Sequence, residues 1–187
     1  MRILVTGPES SGKSTLSRQL AWALDGIFVA EQARHYLQEL PRPYTAEDLP
    51  RIWRRQRRAE EEALATGASF LVCDTGPEVI RVWSEVKYGY CDPVVLSAAR
   101  QRTYDLTLLC RPDLPWSYDP LREHPDARDR MKIHQRYRQY LPGAVEIRGD
   151  NRLTQALHAV FFSLGHPPLN RKWTPDAAAA RPLPRGG

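Results

Sequence analysis

Residues 7–15, Gly7-Pro8-Glu9-Ser10-Ser11-Gly12-Lys13-Ser14-Thr15, fill every fixed position of the phosphate-binding pattern G-x-x-x-x-G-K-[ST]. The apolar run 3–5 precedes this loop, and Leu16 and Leu20 follow it at helical spacing. Strand, glycine-rich loop and helix is the order that a P-loop requires, because the loop amides and the positive helix N-terminus then face the phosphates. The sequence therefore predicts that residues 7–15 bind the phosphates of ATP or another nucleoside triphosphate.

Two side chains of the loop have expected chemical roles. Lys13 is expected to contact the β- and γ-phosphates as a catalytic cation, and Ser14 is expected to bind Mg²⁺. An ordinary glycine turn is the alternative, but average residue usage makes a chance match of the full pattern rare in a chain of 187 residues. ATP and Mg²⁺ are therefore the expected cofactors.

Length and charge limit the classes of protein to consider. The 187 residues suffice for one α/β domain with a sizeable core. A formal net charge of +5 suits nucleic acid, but a polyphosphate site also needs positive charge, and acidic residues are interspersed. In particular, the arginine-rich segment 51–58 is followed by glutamates at 60–62, which indicates a solvated helix with internal ion pairs. Nucleic-acid binding is the less favoured interpretation.

Compartment and assembly are only partly defined by the sequence. No apolar run approaches the length of a membrane span and Met1 leads directly into the first strand, so we expect a cytoplasmic protein without a membrane partner. Cys73, Cys91 and Cys110 are odd in number and lack C-x-x-C spacing, which predicts reduced thiols rather than a disulfide framework or a metal cage. A homo-oligomer stays open.

Strand and helix patterns alternate along the chain. Strands are predicted at 3–5, 27–30, 70–74, 106–110 and 144–147, and helices at 13–24, 31–40, 45–66, 77–87, 93–102, 127–141 and 151–164. Thr45 is the expected N-cap of the third helix. Five strands joined by helices predict an α/β fold with a parallel sheet covered on both faces. We expect one domain over 1–165, a lid over 111–130, and a loosely held tail rich in proline and alanine over 166–187.

Polar residues at the strand ends are candidates for the chemistry, because ligands of open α/β sheets bind at the carboxyl ends of the strands. Asp74 follows a buried strand, where P-loop proteins place an acid that helps to hold Mg²⁺; the alternative is a helix N-cap. Glu31 could accept a proton from a substrate hydroxyl or bond a ribose, and the alternative is a solvated glutamate in a first helical turn. Either carboxylate could be the catalytic base.

The segment after the fourth strand has the composition of a catalytic lid. Arg122 and Arg130 could close over the phosphates and supply cations to the transferring group. Trp116 could stack on a flat ligand or could hold the segment against the body of the domain. The alternative for each charged residue is an ordinary solvated surface loop.

Several further motifs resemble one family. They are Glu31-Gln32-Ala33-Arg34 after the second strand, Asp74-Thr75 after the third, Tyr88-Gly89, and Pro115-Trp116 with Asp119 and Arg122 in the lid. Together with the P-loop they resemble the ribosylnicotinamide kinase domain of bacterial NAD-biosynthesis regulators and its stand-alone AAA-type relatives, over about residues 1–163. The P-loop is shared by a very large superfamily, whereas the later motifs are much more specific.

The resemblance implies both a fold and a reaction. The fold would be that of P-loop nucleoside and nucleotide kinases, with strand order 2-3-1-4-5 and helices on both faces. The reaction would be transfer of the ATP γ-phosphate to the 5′-hydroxyl of nicotinamide riboside, which gives nicotinamide mononucleotide. The implied substrate contacts are Glu31, Arg34, Asp74, Trp116 and Asp119.

Three positions depart from the pattern of that family. Ala30 replaces a tryptophan that helps to hold the nicotinamide ring, Gly76 replaces an aspartate near the substrate, and Pro120 replaces a glycine of the lid. None lies in the triphosphate-binding loop, so ATP-dependent phosphoryl transfer is expected whichever acceptor is used. Two other classes stay open: a nucleotide-dependent switch or regulatory ATPase, and an RNA-associated kinase that uses the arginine-rich helix.

Overall fold

The computed structural model describes residues 1–101 and 103–165, so the expected tail over 166–187 lies outside the described residues. The strands are β1 Arg2–Thr6, β2 Ile27–Val29, β3 Leu71–Asp74, β4 Leu106–Cys110 and β5 Val145–Ile147. The helices are α1 Lys13–Ala23, α2 Gln32–Glu39, α3 Asp48–Leu64, α4 Pro77–Tyr88, α5 Pro93–Gln101, α6 Ala127–Tyr140 and α7 Arg152–Ser163. Each predicted element is present, and most ends shift by one to three residues.

The strands form one parallel sheet in the order β2-β3-β1-β4-β5, which confirms the predicted order. The first strand lies at the centre, with Ile3 opposite Val72 of β3 and Leu106 of β4. Its side chains alternate between two helical layers. Ile3 and Val5 pack in the cluster that contains residues of α1 and α7, whereas Leu4 packs beside residues of α3. Continuous apolar strands are therefore expected, because both faces of the sheet are buried.

The start of α3 corrects one expectation. Thr45 does not cap this helix, because residues 45–48 form a turn in which the Asp48 amide donates to the Thr45 carbonyl at 3.1 Å, and the helix begins at Asp48. Thr45 instead donates its backbone amide to the Asp48 carboxylate at 2.8 Å. Arg42 bonds the same carboxylate, and this guanidinium is the main reason that the pKa of Asp48 lies well below its usual range. The sequence pattern thus predicted the start of α3 about one helical turn before the residue at which the helix begins.

The arginine-rich part of α3 carries the predicted internal pairs. Arg57 bonds Glu61 at 2.7 Å and Arg58 bonds Glu62 at 2.8 Å, both at the spacing of one helical turn. Arg55 bonds Glu39 of α2 at 2.6 Å. The expectation of solvated, internally paired charges is therefore confirmed for the outer face of α3, whereas Glu60 is buried and bonds Arg2 of β1 at 2.7 Å.

The expectations about the cysteines and about membrane spans can be compared with the described residues. Cys73, Cys91 and Cys110 are free thiols, as predicted, and two of them lie in the strands β3 and β4. Within 1–101 and 103–165, every helix is too short or too polar to span a bilayer.

Candidate active site

The loop between β1 and α1 has the backbone shape that its glycines permit. Gly7 has φ 145° and Gly12 has φ 76°, both in the region that favours glycine. A Cβ atom on Gly7 would lie 2.5 Å from the carbonyl oxygen of Cys110, at the end of β4. A Cβ atom on Gly12 would lie 2.8 Å from the Leu114 side chain in the lid. A larger residue at either position would displace a neighbouring strand end or the lid.

Lys13 and Ser14 start the helix that follows the loop. The Lys13 ammonium donates to the Pro8 carbonyl at 3.4 Å, so its side chain lies back across the loop. Ser14 lines the cavity beside it. The hydroxyl of Ser11 is buried and has no hydrogen-bond partner among the described residues. The loop thus presents unsatisfied donors and a cation at a helix N-terminus, which is the arrangement that binds phosphates.

Asp74 ends β3 next to this loop and is almost completely buried, with 2% of its surface exposed. Burial raises the pKa of its carboxyl to about 6; Lys13 and the Ser14 hydroxyl oppose the rise, and Glu31 adds to it. Its Oδ1 atom has no hydrogen-bond partner in the described part of the chain. Thr75, the next residue, has φ 73°, a strained conformation held by a 3.0 Å bond from its amide to the Val5 carbonyl.

Gly76, one of the departures from the family pattern, lies where a side chain would have little room. A Cβ atom there would meet Oε2 of Glu78 at 2.9 Å and the side chain of Leu4 at 3.0 Å. Glu78 is buried, and burial raises the pKa of its carboxyl to about 7. A second carboxyl group therefore occupies the space beside Gly76, although it comes from α4 and not from the strand end.

Glu31 and Arg34 line the cavity from the start of α2. Glu31 occupies the N-cap position of α2, and no hydrogen bond or ion pair to its carboxylate is found within 1–101 and 103–165. Arg34 donates to Asp119 of the lid at 2.7 Å, and this bond raises the pKa of the Arg34 guanidinium. The carboxylate is thus available to a ligand, whereas the guanidinium already has an anionic partner.

The lid between β4 and α6 is docked on the P-loop. The Glu9 carboxylate accepts hydrogen bonds from the backbone amides of Glu123 and His124 at 3.0 to 3.1 Å. The Ser10 hydroxyl accepts from the Arg122 guanidinium at 2.9 Å. These contacts connect the residues that would surround the phosphates to the segment that covers them.

Trp116 lies between two lid-side arginines. The guanidinium carbons of Arg122 and Arg130 are 5.8 and 5.5 Å from its ring centroid, within cation–π range. Arg130, on α6, is only 4% exposed and donates to the Leu114 carbonyl at 3.5 Å. Of the two arginines, Arg122 lines the cavity and Arg130 is outside the lining. The contacts of Trp116 therefore hold the lid together.

A cavity of about 260 Å³ extends from the P-loop under the lid. Its polar side is formed by the loop, the start of α2 and the lid, and its apolar side by α2, α4 and α6. The polar lining includes Glu9, Lys13, Ser14, Glu31, Arg34 and Arg122. The apolar lining includes Leu37, Val79, Val82, Trp83, Val86, Ile133 and Tyr137. This volume lies just below the usual range for small-molecule pockets, about 300 to 1,000 Å³.

A hydrogen-bonded network closes the apolar side of the cavity. The Trp83 indole donates to the Tyr44 hydroxyl at 2.7 Å, and that hydroxyl donates to Oε1 of Glu123 in the lid at 2.8 Å. Lys87 also bonds Oε1 of Glu123, at 2.6 Å, and contacts the Tyr44 hydroxyl. Burial raises the pKa of Tyr44 to about 12, so its hydroxyl stays a donor. Sequence analysis missed this network, although Val79, Trp83 and Val86 share one face of α4.

Comparison with protein families gives a match over residues 2–147 to the AAA domain. The chain belongs to this family. The sheet order and the loop geometry described above agree with a P-loop fold. A comparison with curated proteins found no match.

Solved structures similar to this AAA domain include two of NadR protein, one in complex with NR and one with NAD and AMP-PNP. They are 23% and 20% identical to it, with TM-scores of 0.72 and 0.71, and each alignment covers 92% of this chain. The chain spans about half of their length, 54% and 51%. Deoxyadenosine kinase from M. mycoides aligns with a TM-score of 0.53 at 13% identity, over 88% of this chain and 99% of that one. These likenesses show a P-loop kinase fold.

The site residues predicted from the sequence fall into two groups in the AAA domain, those at the cavity and those in the lid outside the cavity lining. The cavity lining contains Glu31, Arg34, Arg122 and, from the P-loop, Gly7, Pro8, Glu9, Lys13 and Ser14; Asp74 lies beside Lys13 and Ser14. Ser10, Ser11, Gly12 and Thr15 belong to the same loop but are outside the lining. Trp116, Asp119 and Arg130 lie in or behind the lid and outside the cavity lining. The unpartnered Oδ1 of Asp74 and the Ser14 hydroxyl are oxygen donors of the kind that Mg²⁺ prefers, so these residues fit the ion.

Proposed function

We propose that the chain is an ATP- and Mg²⁺-dependent kinase that transfers the γ-phosphate to a nucleoside hydroxyl. Nicotinamide riboside is the proposed acceptor and nicotinamide mononucleotide the product. The main supporting observation is that one cavity joins the P-loop to a pocket with an unpaired carboxylate, Glu31. The reaction would take place in the cytoplasm.

The charges of the acceptor side favour a nucleoside over a nucleotide. Both cations of this side are already paired, Arg34 with Asp119 and Lys87 with Glu123. The Glu31 carboxylate has no hydrogen bond or ion pair among the described residues. An acceptor that already carried a phosphate would be repelled by this carboxylate, and Arg34 and Lys87 would have to leave their carboxylate partners to bind it. The pyridinium ring of nicotinamide riboside is a cation, so that acceptor suits the pocket.

We assign the donor side to residues that bind and orient phosphates. Lys13 and the loop amides would hold the β- and γ-phosphates, and Arg122 would supply a further cation from the lid. Ser14 and Asp74 would hold Mg²⁺, which neutralises charge on the phosphates when bound. Arg130 contacts the Trp116 ring and is outside the cavity lining, so in this proposal it stabilises the closed lid instead of touching the phosphate.

We assign the acceptor side to Glu31 and Arg34. Glu31 lines the cavity without a partner, so its carboxylate is available to orient the acceptor hydroxyl and to accept its proton. Asp74 is the alternative base, since it lies beside Lys13 and Ser14. Arg34 and Asp119 would bring the lid and the acceptor helix together around the substrate.

The test is an ADP-release assay with ATP, Mg²⁺ and a panel of nucleosides that includes nicotinamide riboside and, as matched anionic compounds, the corresponding 5′-monophosphates. We expect nicotinamide riboside to accelerate ADP release and the monophosphates to leave it unchanged. Acceleration by a monophosphate instead would contradict the charge argument. If no compound of the panel accelerates ADP release, the kinase assignment is contradicted.

A switch or regulatory ATPase is a second candidate, favoured by the bonds between Glu9 and the backbone of the lid. Because the P-loop itself holds the lid, a change in the bound phosphates could move it. Slow hydrolysis that no nucleoside affects would support this candidate. An RNA-associated kinase finds less support, since the arginines of α3 at 55, 57 and 58 are paired with glutamates.

A further inference from the structure

The end of β2 offers no surface to the ring of an acceptor. Ala30 has only a methyl group, and its carbonyl accepts a hydrogen bond from the Gln32 side chain at 3.1 Å. Heterocyclic rings bind proteins mainly by stacking on aromatic side chains, which contribute large contact areas. An acceptor with such a ring must therefore find its aromatic partner elsewhere in the cavity.

Two aromatic residues line the cavity, and they differ in how much surface they can offer. Tyr137 is only 3% exposed, and its ring packs in a core cluster with Val82 and Leu109. Trp83 is half-buried and lies on α4, with Val79 and Val86 on the same helical face. The indole and the two valines together form an apolar wall of the cavity on α4, whereas Glu31 lines the same cavity from the start of α2.

The indole of Trp83 is held in place before any ligand binds. Its N–H group donates to the Tyr44 hydroxyl at 2.7 Å. The Tyr44 ring meets it edge to face, with the centroids 4.8 Å apart and an interplanar angle of 64°. A ring that is already fixed loses little conformational entropy when a ligand binds to it.

We propose that Trp83 is the ring-binding residue of the acceptor site, in place of an aromatic residue at the end of β2. The heterocycle binds against the indole and the wall of Val79 and Val86, and its sugar extends toward Glu31. Tyr44 is a positioning residue, because it acts through the indole N–H. This inference rests on the proposed function, and it specifies an acceptor with a flat, six-membered or fused heterocycle.

The experiment compares steady-state constants for nicotinamide riboside and for ATP in the wild type and two variants of Trp83. Stacking contributions predict that Trp83→Leu raises the KM for the acceptor about 5- to 150-fold, whereas the KM for ATP stays unchanged. Trp83→Phe keeps an aromatic face and is expected to recover most of the loss. Tyr44→Phe frees the indole N–H and is expected to raise the acceptor KM by a smaller factor.

Trp22→Leu is the matched control. Trp22 is another half-buried tryptophan, in the last turn of α1 and outside the cavity lining, so neither KM should change. Thermal melting of each variant shows whether it is folded. If Trp83→Leu does not fold, the acceptor KM values of Trp83→Phe and Tyr44→Phe provide the test.

The results separate this inference from the proposed function. If the wild type phosphorylates the nucleoside and a folded Trp83→Leu variant has an unchanged acceptor KM, the role of Trp83 is overturned. The kinase assignment is not affected by that result. An equal rise in both KM values would indicate a general structural role and would also overturn the role of Trp83. A wild type without any nucleoside-dependent turnover would overturn both.

Discussion

The donor side and the acceptor side of the cavity are built in different ways. The donor side comes from one short loop, whose glycines at 7 and 12 have the positive φ angles that it needs. The acceptor side combines Glu31, Trp83 and Glu123 from three segments far apart in the chain, and all three must be brought together by packing. A binding loop that is contiguous in the chain can be recognised from sequence. A cavity wall made of residues from separate segments is defined only by the fold.

The two sides also differ in how their charges are used. On the acceptor side, Arg34 and Lys87 are neutralised by carboxylates of the lid. On the donor side, the hydrogen bond of the Lys13 ammonium found among the described residues is a long one, to the Pro8 carbonyl. The cavity thus contains a cation for phosphate and an unpaired carboxylate, Glu31, for the acceptor, and variants of each side should have separate kinetic effects.

The largest effect is expected from Glu31→Gln. If its carboxylate accepts the proton of the acceptor hydroxyl, kcat should fall about 10²- to 10⁴-fold, with ATP binding unchanged. Glu39→Gln is the matched control, because Glu39 ends the same helix and is exposed. Steady-state ADP release measures both. Full activity of Glu31→Gln together with an inactive Asp74→Asn would transfer the role of base to Asp74.

Lys13→Ala tests the donor side. Loss of one preorganised charge at the transferring phosphoryl group typically lowers kcat about 10²- to 10³-fold. The same variant should weaken ATP binding, which titration calorimetry measures without turnover. Intact ATP binding and intact turnover in this variant would rule out the assignment of the P-loop.

Glu9→Ala tests the connection between the two sides. It removes the carboxylate that accepts from the amides of Glu123 and His124, so the lid should close less often. Hydrogen bonds to charged groups predict a fall in kcat/KM of about tenfold or more. A lowered kcat/KM for the acceptor as well as for ATP would show that the lid serves both sides. An effect on ATP alone would show that it serves only the donor side.

A dependence of stability on pH is expected from Asp74. Burial raises its pKa from 3.8 to about 6, so between these values the folded protein binds more protons than the unfolded chain. This carboxyl therefore lowers the free energy of unfolding as the pH rises through that window, by about 1.4 kcal/mol per pH unit at most. Chemical denaturation at several pH values should show that the free energy of unfolding of Asp74→Asn falls less, or rises more, across this window than that of the wild type. The same slope in both proteins would contradict the buried state of this carboxyl.

The smallest effect is expected from Arg58→Ala on the outer face of α3. Its pair with Glu62 is fully exposed, so the melting temperature and the turnover should stay unchanged. RNA binding that is sensitive to salt in the wild type and weaker in this variant would instead favour a nucleic-acid function for the helix.

Most of the fold could be predicted because its signals are local. The apolar runs of the strands and the loop at 7–15 gave the element order, and the family resemblance supplied the sheet order. The prediction of Thr45 as an N-cap was wrong, because a turn at this residue precedes the helix and the Asp48 carboxylate accepts a hydrogen bond from the Thr45 amide. That outcome depends on Arg42 and Tyr36, which bond the same carboxylate and which no local pattern links to it.

The candidate site could be predicted only in part for the same reason. Glu31 and Asp74 lie at strand ends and were therefore expected at one edge of the sheet, and Arg122 was expected from the lid. Tyr44 and Lys87 could not be found, since their roles depend on contact with Glu123, which is 79 and 36 residues away along the chain. Trp83 lies on a helix whose apolar face could equally have been core.

The most direct measurement of the central claim follows the γ-phosphate itself. ATP labelled at this position is incubated with the protein, Mg²⁺ and nicotinamide riboside, and the products are separated and identified by mass spectrometry. The account predicts that the label appears in nicotinamide mononucleotide, in the same amount as the ADP that forms. Label found only in inorganic phosphate, with the nucleoside unchanged, would contradict it.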